Sequence, residues 1–147
     1  APRPRGLATS AEAAAGPLRV LVVDDNRDAA EMLATLLELG GHRVEVAEDG
    51  ASALHAARAF MPEVVFLDIG LPDISGYEAA AALRRVDGMA GAMLVALTGW
   101  GTEQDRLRAR EAGFDHHLTK PAEFDAVERL LAEAVQRRAD REDRSDG

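Results

Sequence analysis

The stretch Arg19–Asp28, "RVLVVDDNRD", runs a Val-rich apolar segment straight into two adjacent aspartates, Asp24 and Asp25. A short apolar run of this kind, closed by the turn-former Asn26, reads as a strand buried on both faces of a parallel sheet. Two carboxylates at the end of such a strand repel each other and lose hydration, so a cation is needed between them. Which cation, and for what chemistry, is the question this stretch sets.

Four further apolar runs follow, at Val44–Ala47, Val64–Leu67, Met93–Leu97 and, more weakly, His116–Leu118. Each of the five is followed by a segment of helical character. Arg27–Leu39 carries Ala29, Leu33, Leu36 and Leu37 on one face and stops at Gly40–Gly41, whereas Ala51–Phe60 stops before Pro62. Ser75–Val86 is rich in Ala, and Thr102–Ala112 closes on Gly113. In Glu123–Arg137 the residues Phe124, Val127, Leu130, Leu131, Ala134 and Val135 form an apolar stripe at helical spacing. Strands alternating with helices over short loops predict an α/β domain with a doubly wound, five-stranded parallel sheet, a (βα)5 chain.

The ends differ from this pattern. Residues 1–17, "APRPRGLATSAEAAAGP", have the composition of a disordered linker or tail, and 139–147, "ADREDRSDG", that of a fraying helix end followed by disorder. The folded domain is therefore expected over 18–138. At 147 residues there is room for one domain of ordinary size, and with 47% hydrophobic but only 4% aromatic residues its core is expected to be aliphatic. The absence of cysteine excludes disulfides, thiolate nucleophiles and Cys-based metal sites. A net charge of −9 argues against a nucleic-acid-binding surface, which needs clustered Lys and Arg. No apolar run approaches the ~20 residues that span a bilayer, and the chain reads as soluble and cytoplasmic.

In open parallel sheets, ligands bind outside the carboxyl ends of the strands. Strand 1 ends in Asp24 and Asp25, strand 3 in "FLDIGLPD" with Asp68, strand 4 in "VALTGWG" with Thr98, and strand 5 in "HLTKP" with Lys120. Three acids, a hydroxyl and an ammonium are expected to converge on one rim. Three carboxylates with no His or Cys ligand nearby call for a hard divalent cation, for which Mg²⁺ is the natural choice. A carboxylate is also a nucleophile toward phosphorus, giving an aspartyl phosphate. Its attack on an anionic phosphoryl group requires neutralisation of the phosphoryl oxygens, by the metal and Lys120, with Thr98 placed to donate a hydrogen bond.

The motifs "VDDN", "LDIGLPDISGYE", "ALTG" and "TKP", in this order and at these intervals, resemble the receiver domain of two-component response regulators over about residues 18–138. The resemblance implies a flavodoxin-like receiver fold in which Asp68 accepts a phosphoryl group from a histidine kinase or a histidine phosphotransfer domain. It implies that Asp24, Asp25, Asp68 and the Gly70 backbone carbonyl hold Mg²⁺. It further implies that Thr98 is the phosphate-contacting switch residue, that Lys120 is the family's invariant lysine, and that the Lys120–Pro121 bond is cis. The family's usual aromatic residue three positions before that lysine is replaced here by His117, which is expected to fill the switch position and to make output pH-sensitive near neutrality. Gly70 and Trp100 occupy the two positions that tend to tune acyl-phosphate hydrolysis in this family; Gly70 has no side chain to orient water and Trp100 is placed to shield the phosphate, so slow self-dephosphorylation is expected. Output in this family usually leaves through the fourth helix, fifth strand and fifth helix, here about 102–137. Homodimerisation on phosphorylation is compatible with that surface.

Taken singly these residues have plainer readings. An Asp-Asp pair is commonly a solvated turn or cap, Thr98 a strand-end hydroxyl and Lys120 a surface charge. "LPDISGYE" alone reads as a turn plus a capped helix. His116 and His117 are neighbours on a strand and point to opposite faces, so they do not grip one ion together. A flavin or nucleotide site would need a glycine-bearing phosphate loop after strand 1, which "DDNRD" lacks. A haloacid-dehalogenase-like phosphatase usually places a second acid two residues after its nucleophile, where this chain has Gly70. A degenerate receiver that only binds partners would lack one of the five site residues. "ALTGWG" with "AREAGFDHHLTKP" looks most like receivers attached to hybrid histidine kinases, and the start at Ala1 fits an excised module; a stand-alone single-domain regulator is the alternative. No stretch after Arg138 is suited to DNA binding, so output through a protein surface is expected.

Overall fold

The computed structural model describes residues 17–99 and 103–146. Five strands, β1 (Arg19–Val23), β2 (Arg43–Ala47), β3 (Val64–Asp68), β4 (Met93–Thr98) and β5 (His116–Thr119), alternate with five helices. The helices are α1 (Arg27–Leu39), α2 (Gly50–Phe60), α3 (Gly76–Arg85), α4 (Glu103–Ala112) and α5 (Phe124–Asp146). All pairings are parallel, in the order β2-β1-β3-β4-β5. This is the expected doubly wound sheet, and its order reverses at β1, which puts a crevice between the carboxyl ends of β1 and β3.

The central strands are buried along their length except at Arg19, the first residue of β1, whereas the edge strands β2 and β5 are largely exposed or half-buried. Side chains alternate between faces with period two. Leu21, Val23, Val65, Leu67, Leu94 and Ala96 pack against α2, α3 and α4, whose contacts are mostly Ala. Val20, Val22, Val64, Phe66, Met93 and Val95 pack on the other face against Leu37 of α1 and Val127 and Leu131 of α5. The sheet thus separates two apolar layers, and the small Ala residues let the helices of the first lie close to it.

Local chemistry sets the helix starts. Asn26 caps α1 by accepting from the Ala29 N–H at 3.1 Å, and Asp49 caps α2 by accepting from Ser52 at 2.8 Å. Ser75 and Glu78 form a reciprocal capping box at α3, both bonds at 3.1 Å. At the far end α5 continues through Asp146, where the sequence reading closes the helix at Arg137 and expects a disordered tail over 139–147. The mixed charge of the final turns is helix-compatible: Gln136 donates to Asp140 one turn later at 3.1 Å. The linker expected over 1–17 lies, apart from Pro17, outside the described residues, as does Trp100.

Two guanidinium groups fasten the loops opposite the strand ends. Arg84 donates to the carbonyls of Gly113 and Ala92 and to Asp115, tying the end of α3 to the α4–β5 turn. Arg138 grips Glu63 with both arms at 2.6 and 2.7 Å and reaches the Pro17 carbonyl at 2.9 Å. Burial pushes the Glu63 carboxyl up, but hydrogen bonds from Arg138 and the Arg19 amide outweigh it and hold the group below its usual range.

The β3–α3 loop returns so tightly that Gly76 sits against the end of β3. A Cβ at position 76 would lie 2.5 Å from Ile69 Cα and 2.7 Å from the Asp68 carbonyl oxygen, both backbone atoms. The helix propensity gained by Gly76→Ala is smaller than the cost of displacing that backbone. The substitution is expected to destabilise the domain by about 2 kcal/mol, seen as a lower urea midpoint at unchanged slope. A midpoint equal to that of the parent would show that the loop yields freely.

Candidate functional site

Asp24, Asp68 and Thr98 are the buried polar side chains among the described residues, and all three stand at the carboxyl ends of the three central strands. Asp68 and Thr98 are the last residues of β3 and β4, and Asp24 directly follows β1. Register brings them together: β1 and β4 flank β3 on either side. Asp25, exposed, completes the cluster, and one carboxylate oxygen from each of Asp24, Asp25 and Asp68 lies within 4.8 Å of the others. Lys120, just after β5, extends its Nζ to 3.2 Å from Asp24 Oδ2 and 3.3 Å from Asp68 Oδ2. The Lys120–Pro121 bond is cis.

The remaining lone pairs are partly used by the adjoining backbone. Asp24 Oδ1 accepts from the Asn26 N–H at 2.9 Å, and Asp68 Oδ1 from the Gly70 N–H at 3.1 Å. Burial pushes the Asp24 carboxyl up, as does the charge of Asp68, while the Asn26 amide and Lys120 oppose the rise without reversing it. Burial likewise works against the Lys120 ammonium, but attraction to Asp68 and Asp24 more than compensates and raises it above its usual value. Three acids facing one lysine leave an excess of negative charge.

Thr98 Oγ1 is buried and has no hydrogen-bond partner among the described residues. An unpaired hydroxyl beside an oxygen-only donor set fits a hard cation carrying a further oxygen-rich group, and these residues are therefore suited to Mg²⁺. Gly70 leaves open space: a Cβ there would come no closer than 3.9 Å to Asp68 Oδ1.

The two histidines part as strand geometry requires. His116 Nε2 lies 2.8 Å from Glu133 on α5, whereas His117 Nε2 accepts from Arg106 Nε on α4 at 3.2 Å. Burial lowers the His117 imidazole, and the Arg106 charge lowers it further, against a weaker pull from Asp105. The change of charge of this ring is thus displaced to lower pH than that of a free imidazole.

One contributor was not singled out from the sequence. Asp73, exposed in the β3–α3 loop, accepts from the Gly50 and Ala51 amides at 2.8 and 3.0 Å and fastens that loop to the start of α2. Those amides, Gly50 first, hold its carboxyl below the usual range. The only sequence signal was an Asp after Pro72 in a turn, which fits many local roles.

A family model for the response regulator receiver domain matches residues 20–132. The chain belongs to the response regulator receiver family. Among its relatives, this receiver domain is 35% identical over 125 residues to the DNA-binding dual master transcriptional regulator RpaA of Synechocystis, covering 84% of this chain and 51% of RpaA. It is 38% identical over 127 residues to the virulence sensor protein BvgS of Bordetella pertussis, covering 83% of this chain and 10% of BvgS. The receiver domain thus spans about half of one relative and a tenth of the other. Its fold matches a putative response regulator from Chloroflexus aurantiacus with a TM-score of 0.76 at 28% identity, over 82% of this chain and 98% of that one. No helix among the described residues is long and apolar enough to cross a membrane.

Because the folded state lowers the His117 value, the neutral ring stabilises the domain above the ordinary value, and this contribution is lost as pH falls through the folded-state value. The His117 ring resonances are expected to titrate with a midpoint below 6.5. Arg106→Gln is expected to move that midpoint up. A parent midpoint at or above the ordinary value would contradict the electrostatic account.

Proposed function

We propose that this receiver domain takes a phosphoryl group from a phosphohistidine onto Asp68 and signals by the rearrangement that follows. The observation that carries this reading is the convergence of Asp24, Asp25 and Asp68 on one rim, with Lys120 Nζ close to two of them and the unpartnered Thr98 hydroxyl beside them. In the transfer, an Asp68 carboxylate oxygen forms the new bond to phosphorus while the bond from phosphorus to the donor imidazole nitrogen breaks, and that nitrogen departs with the electron pair. Mg²⁺, held by Asp24, Asp25, Asp68 and the Gly70 carbonyl, would supply charge neutralisation at the phosphoryl oxygens. Lys120 exchanges its contact with Asp68 for one with the incoming group, and Thr98 acquires the hydrogen-bond partner it lacks.

The donor is a histidine kinase or a histidine phosphotransfer domain. A groove of about 120 Å³, lined by Met32, Leu33 and Leu36 of α1 together with Lys120, Pro121 and Ala122, opens beside Asp24 and supports docking of such a donor's apolar helix face at the site. Thr98 and His117, on neighbouring strands, form the switch, and output leaves through α4, β5 and α5, with dimerisation of the phosphorylated form as one consequence. Gly70, having no side chain with which to orient water, favours a long-lived phosphate; the shielding role read for Trp100 falls outside the described residues.

Two settings fit a domain of this kind. A receiver module in a hybrid histidine kinase is supported by the similarity to the sensor protein BvgS over 127 residues. The second, a DNA-binding response regulator, is favoured by the similarity to RpaA and, at 38% over 118 residues, to the transcriptional regulatory protein KdpE of Mycobacterium tuberculosis. The expectation of no nucleic-acid contact therefore concerns the acidic surface of this domain and does not extend to a protein that carries it.

Incubation with Mg²⁺ and acetyl phosphate is expected to add one phosphoryl group by intact mass, dependent on the metal and absent in Asp68→Asn. An adduct retained by Asp68→Asn would remove Asp68 from the role. Absence of any adduct in the parent, under conditions where Mg²⁺ binding is shown separately, would count against a working phosphoacceptor.

A further inference from the structure

The β3–α3 loop, residues 69–75, is held at its base and at its tip by different means. At the base the Gly76 N–H donates to the Ile69 carbonyl at 2.8 Å, and the Ile69 N–H donates to the Leu97 carbonyl of β4 at 3.1 Å. At the tip the exposed Asp73 carboxylate accepts from the Gly50 and Ala51 amides that open α2, at 2.8 and 3.0 Å. Among the described residues, these are the hydrogen bonds that join residues 71–74 to another element. The approach is close. A Cβ at position 50 would lie 2.5 Å from Ile74 Cγ1 and 3.3 Å from Asp73 Oδ1, so glycine is what leaves room for the tip.

Starting α2 does not require Asp73. The Asp49 side chain already accepts from the Ser52 amide at 2.8 Å and caps the helix from its own segment of chain. A second carboxylate, brought to the same helix start from another loop, therefore serves the loop it comes from. That loop carries Gly70, three residues before Asp73, whose carbonyl belongs with Asp24, Asp25 and Asp68 to the proposed Mg²⁺ set. The Gly70 N–H is tied to Asp68 Oδ1 at 3.1 Å, but its carbonyl lies on the peptide that leads on toward the tip. Gly70 is exposed and brings no side chain to steady it, so the orientation of that carbonyl depends on what holds the residues after it.

We propose that Asp73 is a positioning residue for the cation site: by latching the loop to α2 it fixes the Gly70 carbonyl and so sets the preference for Mg²⁺ over Ca²⁺. The inference rests on the reading of Asp24, Asp25, Asp68 and the Gly70 carbonyl as the groups that hold Mg²⁺. Mg²⁺ requires near-ideal octahedral oxygens at about 2.0–2.1 Å, whereas Ca²⁺ accepts about 2.3–2.6 Å and variable coordination. A carbonyl free to drift over roughly that difference weakens the smaller ion more. Three carboxylates attract both ions, and discrimination falls to the ligand whose position the loop controls. Groups that orient a ligand without touching the metal shift its affinity by about ten- to a hundredfold when removed.

The test titrates the full chain and its Asp73→Ala, Asp73→Asn and Gly50→Ala variants with Mg²⁺ and, separately, Ca²⁺. Binding is followed at the backbone amides of residues 68–70, with urea midpoints as the check on folding. Asp73→Ala is expected to weaken Mg²⁺ about tenfold and Ca²⁺ far less. Asp73→Asn removes the charge but keeps an acceptor for the Gly50 amide, and should recover much of the Mg²⁺ affinity. Gly50→Ala should lower the ratio of Mg²⁺ to Ca²⁺ affinity with Asp73 intact, because its methyl group displaces the tip. In the metal-free protein, Asp73→Ala should speed hydrogen exchange at the Gly70 amide while β3 stays protected. Equal losses for the two ions, or equal losses in the Ala and Asn variants, would reduce Asp73 to a distant charge and overturn the proposal. Unchanged Gly70 exchange, or an unchanged ratio in a parent that does bind Mg²⁺, would overturn the latch while leaving the cation reading in place. A parent that binds no Mg²⁺ would remove the cation reading itself, and the selectivity assignment with it.

Discussion

The rim is organised by a repulsion that the fold imposes and does not relieve. Parallel pairing of β1 with β3 places Asp24 and Asp68 side by side, both nearly out of solvent, and no rearrangement short of slipping the sheet register would part them. Slipping is blocked because it would send the apolar side chains of one layer to the other face. Lys120 answers part of the charge, reaching in from the far side of β4. The rest is left for ligands: the site's electrostatics, the Thr98 hydroxyl with no partner among the described residues and the open space at Gly70 all suit a hard cation.

Supporting contacts around the rim are short-range and local. Asp73 anchors the β3–α3 loop to α2, Gly76 lets that loop close on the β3 backbone, and the Ser75–Glu78 box starts α3 at once. Together they hold the residues following Asp68 in place without large side chains near the carboxylate. Rigidity next to the Asp68 carboxylate and room above it are both obtained from turn chemistry.

Strand positions, helix order and the meeting of Asp24, Asp25, Asp68, Thr98 and Lys120 were legible in the sequence, because buried parallel strands are continuous apolar runs and the site residues mark their ends. Strand ends moved by a residue, with Asp68 and Thr98 inside β3 and β4, since ladder hydrogen bonds reach past the last apolar residue. The length of α5 was misread: the final turns carry no apolar stripe, and mixed charges suit both a helix and a loose tail. Asp73, the Arg84 fastening and the Arg106 contact to His117 were invisible for another reason. Each joins residues far apart in sequence, and nothing in local pattern says which arginine meets which carbonyl or ring.

The division of the interior into two layers has an evolutionary consequence. The groove beside Asp24 is bordered by α1 and the loop after β5, against one layer, whereas α4 packs against the other, with a five-stranded sheet between them. Substitutions that retune one surface need not disturb the packing beneath the other. A duplicated copy is thus free to acquire a new contact on one face while keeping the old one on the other, through a few surface changes at a time.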